Sequence, residues 1–212
     1  MINVKVFTFN PVQENTYIIY NENRNAIIID PGCYFKNEQA VLRAFIQENK
    51  LKPIQLLNTH CHLDHVFGNY WVHETYQLAL YIHANEKPVL EYAPISGLQW
   101  GLSFKNYDAS LHYLKEGDTI YLDNDELEVL FTPGHSPGSI SFYCKKQHFA
   151  IVGDVLFFES IGRTDLPGGN HETLLQSIRE KLFVLPEETI IYNGHGASTT
   201  IGHEIKYNPF LL

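Results

Sequence analysis

Four side chains that can hold a cation, those of His60, His62, Asp64 and His65, fall within the six residues His60-Cys61-His62-Leu63-Asp64-His65. Such density narrows what the chain can fold into. Three imidazoles and a carboxylate crowded into one short run are hard to desolvate unpaired, and a divalent metal resolves the conflict. The lead-in Ile54-Gln55-Leu56-Leu57-Asn58 reads as a buried strand, and residues 66–76 read as a helix. The cluster is therefore expected on a strand-to-helix loop, where ligands are held rigidly and still face solvent.

One cluster alone is equally a surface patch of histidines, so the remaining ligands have to come from elsewhere. Three more candidates each follow a β-rich run and sit beside a glycine. Residues 127–132 lead into Gly134-His135, residues 149–152 into Gly153-Asp154, and residues 189–192 into Gly194-His195. Glycine at such places permits tight turns and close backbone approach. The candidate set is His60, His62, Asp64, His65, His135, Asp154 and His195, five imidazoles and two carboxylates with no thiolate. These donors suit zinc first, with iron or manganese as alternatives. Seven donors exceed what one tetrahedral ion takes and suit two divalent ions that share a ligand. Asp154 is the natural bridge, because a carboxylate has two oxygens to place. Two ions roughly 3.5–4 Å apart activate water for hydrolysis.

Together with the early Asp30-Pro31-Gly32, these elements resemble the metallo-β-lactamase superfamily, and the matching positions span nearly the whole chain. The resemblance implies an α/β (α+β) fold, a four-layer αββα sandwich. It implies one ion at His60, His62 and His135, a second at Asp64, His65 and His195, Asp154 between them, and Asp30 supporting the site without binding metal. Asp64 would be catalytic as well as a ligand, orienting the attacking hydroxide. Within the superfamily the chain is similar to the short glyoxalase II-like (hydroxyacylglutathione hydrolase-like) branch. That likeness rests on Gly153-Asp154-Val155-Leu156-Phe157, on Ser160-Ile161-Gly162-Arg163-Thr164-Asp165-Leu166-Pro167-Gly168-Gly169, and on Asn208-Pro209-Phe210-Leu211. The helical C-terminal domain that supplies much of the glutathione site in full-length glyoxalase II is expected to be absent, since residue 212 follows His195 so closely. The implied activity is hydrolysis of a small thioester or ester by a dinuclear zinc centre. Two alternatives stand beside it. One is an iron-dependent persulfide dioxygenase, with a single iron at His60, His135 and Asp154; the other is a non-catalytic metal-binding domain.

Composition bounds the partners. With 212 residues and only 18% charged residues, one domain with a substantial core is expected. The formal net charge of −9 and the lack of a basic run argue against nucleic acid as a partner, which would draw a positive stripe. No apolar stretch approaches the ~18 residues of a membrane span, and no charged-then-apolar leader opens the chain. A cytoplasmic protein without membrane association is the expectation. The oligomeric state is left open. Cys33, Cys61 and Cys144 are too few and too scattered for a disulfide framework. Cys61, between two ligands, is expected to turn away by period-two alternation and to pack; Cys33 is expected to fill space.

Strands are expected at residues 4–9, 16–20, 26–30, 78–84 and 139–144, with a hairpin around Asp123-Asn124-Asp125. A helix over 37–49 would bury Val41, Leu42, Phe45 and Ile46, and another over 172–183 would start from Asn170 as N-cap. His73, His83, His112, His148, His171 and His203 have no ligand spacing and read as hydrogen-bonded or solvent-facing. Arg163 is a candidate for binding a substrate carboxylate, or else it pairs with Asp165 to stabilise the loop. Residues 85–115, with Pro88, Pro94 and several aromatics, are expected to cover an edge of the core, to form a lid or wall over the site, or to make an oligomer contact.

Overall fold

The computed structural model describes residues 1–211. Its first sheet is built from β1 (Asn3–Phe9), β2 (Glu14–Tyr20), β3 (Asn25–Ile29), β4 (Lys52–Leu57), β5 (Leu80–His83) and β6 (Leu111–Leu114), in that order. The second is built from β7 (Thr119–Leu122), β8 (Asp125–Phe131), β9 (Ile140–Cys144), β10 (Phe149–Gly153), and, beyond a small ribbon of β11 (Leu156–Phe157) and β12 (Ser160–Ile161), β13 (Ile190–Asn193) and β14 (Thr199–Thr200). Its spatial order is β14-β13-β10-β9-β8-β7. The helices are α1 (Lys36–Glu48), α2 (Leu63–Val66), α3 (Asn69–Tyr76), α4 (Lys87–Gln99), α5 (His171–Ser177) and α6 (Ile201–Tyr207).

Side-chain alternation along the inner strands divides the apolar residues among three packing layers. In the run Ile27-Ile28-Ile29, Ile28 faces outward with Ile18 and Leu56, meeting Leu42 and Ile46 of α1, Val72 of α3 and Leu90 of α4. Ile27 and Ile29 face the other way with Tyr17, Ile19 and Leu57, against Leu122, Val129, Ile140, Phe142 and Ile151 of the second sheet. The far face of that sheet, through Leu130, Ala150, Val152 and Ile191, packs on Leu174, Ile178, Leu182 and Ile201. Strands buried on both faces need unbroken apolar runs, which is why Ile27-Ile28-Ile29 does not alternate with polar residues. The result is the αββα sandwich.

Local departures from the sequence expectations have local causes. In α1, Leu42 and Ile46 are buried, whereas Val41 is 51% exposed, because the helix rotates its stripe toward Leu42 and Phe45. The expected helix 66–76 is two helices, α2 and α3, broken at Gly68; a Cβ there would lie 2.5 Å from the Cys33 sulfur. Helix α4 was hidden by its prolines: Pro88 sits in the first turn, where a missing N–H costs nothing, and Pro94 is tolerated inside. Helix α6, capped by Thr200, was also unanticipated. Asn170 does cap α5, accepting from the Thr173 N–H at 2.9 Å. The β7–β8 hairpin turns at Asp123 and Asn124, as its residues suggest. Among the described residues, no helix is long and apolar enough to cross a membrane.

Candidate metal centre

Strands β3, β4, β8, β10 and β13 deliver the candidate residues from their C-terminal ends: Asp30, His60 and His62, His135, Asp154 and His195 respectively. β3 runs parallel to β4 and β10 to β13, while β8 and β10 both oppose β9, so these ends gather at one edge of the sandwich. Asp64 and His65 lie on α2, directly after that edge. The sheets are pinned there by the Ile140 N–H donating to the Thr59 carbonyl at 2.9 Å and the Tyr17 hydroxyl to the Asn193 carbonyl at 2.6 Å.

Hydrogen bonding fixes which ring nitrogens are bare. The Thr59 hydroxyl donates to Asp30 Oδ2 at 2.6 Å and then can only accept from His60 Nδ1, 3.1 Å away, which leaves His60 Nε2 without a proton. His135 Nδ1 donates to the Arg163 carbonyl at 2.7 Å, which leaves His135 Nε2 bare as well. These two bare nitrogens lie 3.2 Å apart, and His62 Nδ1 is 2.8 Å from the second. Burial keeps all three rings neutral, holding His62 down at about 3 and His60 and His135 below the usual histidine range. Two lone pairs with a third neutral imidazole nitrogen beside them, the ligand atoms of all three within 4.8 Å of one another, fit a cation.

A second group demands positive charge. His65 Nδ1 faces Asp30 Oδ2 at 3.2 Å, while Nε2 faces Asp154 Oδ1 at 3.4 Å and Asp64 Oδ2 at 3.6 Å. Both His65 Nε2 and Asp154 Oδ1 are buried without a hydrogen-bond partner. His195 Nε2 lies 3.1 Å from Asp64 Oδ2 and 3.4 Å from Asp154 Oδ2. Burial opposes charge on these two rings, yet the Asp154 and Asp64 carboxylates outweigh it, raising His65 well above its ordinary value and His195 to about 10. Asp154 stands between the groups, its Oδ2 also 3.5 Å from His135 Nε2. All seven sequence candidates are thus brought together. Two glycines make the approach tight. Gly153, at φ +54°, has Thr59 Oγ1 2.2 Å from where a Cβ would be, and at Gly194 Asp154 Oδ1 would be 1.9 Å away.

Asp30, His60 and His65 also lie close together. Asp30 nevertheless has its oxygens filled by the Thr59 N–H at 2.7 Å, Asn58 Nδ2 at 3.0 Å, the Thr59 hydroxyl and His65, so it orients His65 from behind. Arg163 makes a two-pronged pair with Asp165, both contacts at 2.7 Å, and it is the Arg163 backbone carbonyl that orients His135. Cys33 and Cys61 are fully buried in the outer apolar layer, and burial pushes both thiols up. The six other histidines lie outside the candidate ligand groups. His73 bonds the Leu78 carbonyl, His203 bonds Glu159, and His112 and His83 stack on Tyr81 and Phe131.

Sequence reading missed Glu86, which no motif marks. Fully buried, its carboxylate accepts from the Cys61 N–H at 2.7 Å, the Ser136 hydroxyl at 2.6 Å and the Gly138 N–H at 2.6 Å. It therefore ties the start of α4 to the loops carrying His60, His62 and His135. Glu86→Ala is expected to leave three donors unmet and to cost about 2–4 kcal/mol, read as a lower urea midpoint; an unchanged midpoint would refute this role.

The site opens on a cavity of about 520 Å³ lined by His62, Asp64, His135, Asp154 and His195, by Pro88, Val89, Tyr92, Ala93 and Ser96 of α4, and by Trp100 just after it. Residues 9–195 match the family model of the metallo-β-lactamase superfamily. The chain belongs to that superfamily. It is 43% identical to the probable metallo-hydrolase YqgX of Bacillus subtilis (strain 168), over 95% of this chain and 93% of that protein. It is 40% identical to the hydroxyacylglutathione hydrolase GloC of Haemophilus influenzae, over 99% of this chain and 98% of that one, which supports the glyoxalase II-like branch of the superfamily. Among solved structures it resembles the BLEG-1 B3 metallo-β-lactamase, with a TM-score of 0.90, 39% identity and coverage of 100% and 99% of the two chains. It likewise resembles TTHA1623 in a di-iron-bound form, with a TM-score of 0.89, 36% identity and coverage of 98% and 100%. Superfamily members bind divalent metals, and the two histidine-rich groups here fit that chemistry.

Proposed function

We propose that this superfamily member is a metal-dependent hydrolase of a small thioester or ester, glyoxalase II-like, working with two divalent ions, zinc before iron or manganese. The observation that carries the reading is the convergence of the bare nitrogens of His60 and His135 with His62 Nδ1, beside a second group that requires positive charge, with Asp154 between them. His60, His62 and His135 would hold one ion and Asp64, His65 and His195 the other, with Asp154 shared. Bound divalent ions supply Lewis acidity toward a carbonyl oxygen and make water acidic enough to attack at neutral pH.

The chain's own residues do the rest. Asp64, with its side chain 13% exposed and lining the cavity, is placed to accept a hydrogen bond from the attacking water and orient it. Asp30 fixes the tautomer and tilt of His65, and the Arg163 carbonyl does the same for His135. A thiolate leaving group, with a parent thiol pKa of about 8.5, needs little help from an acid. Asp30→Ala is expected to weaken metal affinity or turnover about 10–100-fold, measured by titrating the stripped protein with zinc; wild-type affinity and rate would remove Asp30 from the site.

The deciding experiment is elemental mass spectrometry on protein purified without added metal or chelator, paired with turnover of lactoylglutathione and simple esters. Two zinc ions per chain and hydrolysis support the reading. The di-iron form of TTHA1623 favours iron as the alternative metal. One iron per chain, with oxygen uptake on glutathione persulfide and no hydrolysis, would replace the hydrolase by a dioxygenase.

A further inference from the structure

The hairpin of β1 and β2 meets Asp64, His65 and His195, each through a different residue. Asn10, in its turn, is buried at a φ of +55° and donates through Nδ2 to the Gly32 and Asp64 carbonyls, each at 3.0 Å. Its Oδ1 accepts from the Val12 N–H at 3.1 Å and its own N–H donates to Glu38 Oε1 at 2.7 Å, so the side chain is fixed. Asn15, also buried, grips the loop that carries His195. Its N–H donates to the Gly194 carbonyl at 2.7 Å, and its Nδ2 to the Asn193 and Gly196 carbonyls at 3.2 and 2.9 Å. Glu14 is fully buried behind His65, with Oε1 3.8 Å from His65 Nδ1 and without a hydrogen-bond partner, while Oε2 accepts from the Thr16 hydroxyl at 2.8 Å. A Cβ at Gly32 would fall 2.0 Å from Glu14 Oε2, 2.5 Å from the Asp64 carbonyl oxygen and 2.7 Å from Asn10 Nδ2, so this packing requires glycine there.

The other ligand group is braced by different parts of the chain. Thr59 orients His60, the Arg163 carbonyl orients His135, and Glu86 ties down the loops around them. Among the described residues, no hydrogen bond joins residues 10–15 to residues 60–62 or 135. From this division we infer that the first hairpin, through Asn10, Glu14 and Asn15, positions the second ion's ligands and so decides whether the centre holds two ions or one. The inference rests on the two-ion reading and deepens it. Asp64 and His65 sit on α2 and His195 follows β13, so their donor atoms converge only as well as these two segments are held in register. Asn10 holds one segment and Asn15 the other, on one short hairpin. Ligands held in place before the ion arrives lose less freedom when it binds. None of the three residues is assigned a contact with the reacting atoms; they act through the ligands as positioning residues.

The test dialyses stripped protein against zinc buffers of graded free concentration and counts ions per chain by elemental mass spectrometry. It compares the wild type with Asn10→Gly and Asn15→Ala; glycine keeps the positive φ at position 10 accessible. The wild type is expected to reach two ions per chain. Each variant is expected to hold one ion over a span of free zinc of about 10–100-fold in which the wild type holds two. Circular dichroism should be unchanged, and higher free zinc should restore the second ion. A merely structural role would weaken both ions alike or lower only the melting temperature. Folded variants that match the wild type, or that lose both ions together, overturn the inference and leave the two-ion centre standing. If neither variant folds, Glu14→Gln, which keeps the shape behind His65, is read in the same way and decides the case. A wild type that never exceeds one ion overturns the two-ion reading and the inference with it. Turnover of lactoylglutathione by the same samples keeps the hydrolase reading separate: a wild type with two ions and no hydrolysis removes that reading, while the ion counts still decide the role of the hairpin.

Discussion

Asp154→Asn is expected to cost the protein both metal and turnover, with kcat/KM down about a thousandfold, the rate equivalent of several kcal/mol of lost charge stabilisation. The amide matches the carboxylate in shape, so packing is preserved and the effect is electrostatic. In the native site Asp154 places Oδ1 3.4 Å from His65 Nε2, and Oδ2 3.4 Å from His195 Nε2 and 3.5 Å from His135 Nε2. An Asn can present one neutral acceptor to those positions and must turn an NH₂ toward the others, a group with no lone pair to offer a cation and no charge to set against a protonated imidazole. The two groups of imidazoles then lose the anion they share. Elemental analysis and initial rates on one preparation, with circular dichroism to show the fold is kept, provide the check. Full metal content with wild-type turnover would end the assignment of Asp154 between two ions.

Stripping the metal with a chelator should lower the unfolding midpoint by about 5–10 °C, with recovery on adding zinc. A ligand present at a hundred times its Kd contributes about 2.7 kcal/mol, and for a chain of this size each kcal/mol moves the midpoint by about 2–4 °C. The stripped protein should also show its own pH dependence. Burial works against charge on His195, but Asp154 and Asp64 raise it from the ordinary 6.5 to about 10. A folded-state value above the unfolded one gives stability that is complete below 6.5 and is lost as the pH rises through about 10. His65, raised in the same direction by the same carboxylates, adds to that trend. Thermal melts of the stripped protein across this range test it. A midpoint that rises with pH there would contradict the charge pattern of the second group, and an unchanged midpoint on chelation would mean that the cluster binds no structurally significant metal.

Legibility from sequence followed how locally each feature is encoded. The αββα sandwich came from the resemblance; the alternation of elements alone left other α/β arrangements open. The inner strands were readable because a run such as Ile27-Ile28-Ile29 has to bury both faces, and the α5 start because Asn170 supplies its own cap. Helix α4 was not readable, since two prolines mask a periodicity that only the cavity and the outer layer explain. Val41 shows the limit of periodicity: it shares the helix with Leu42 and Ile46, but the rotation of α1 against the sheet is set by what lies beneath it.

The sequence by itself determined which side chains gather: His60, His62, Asp64, His65, His135, Asp154 and His195 are ligand types at strand ends, and their chemistry travels with the residue name. Tertiary structure decided how they are held and what surrounds them. The proton on His135 is placed by the backbone carbonyl of Arg163, which any residue could have supplied, and the one on His60 by a hydroxyl committed to Asp30. Glu86 acquires its importance from three donors that come from loops distant in sequence. The apolar cavity exists because α4 lies beside the metal-bearing edge. Donor identity is a covalent property of each residue, whereas tautomer, orientation and cavity chemistry arise from contacts between residues far apart in the chain, and those contacts exist only once it has folded.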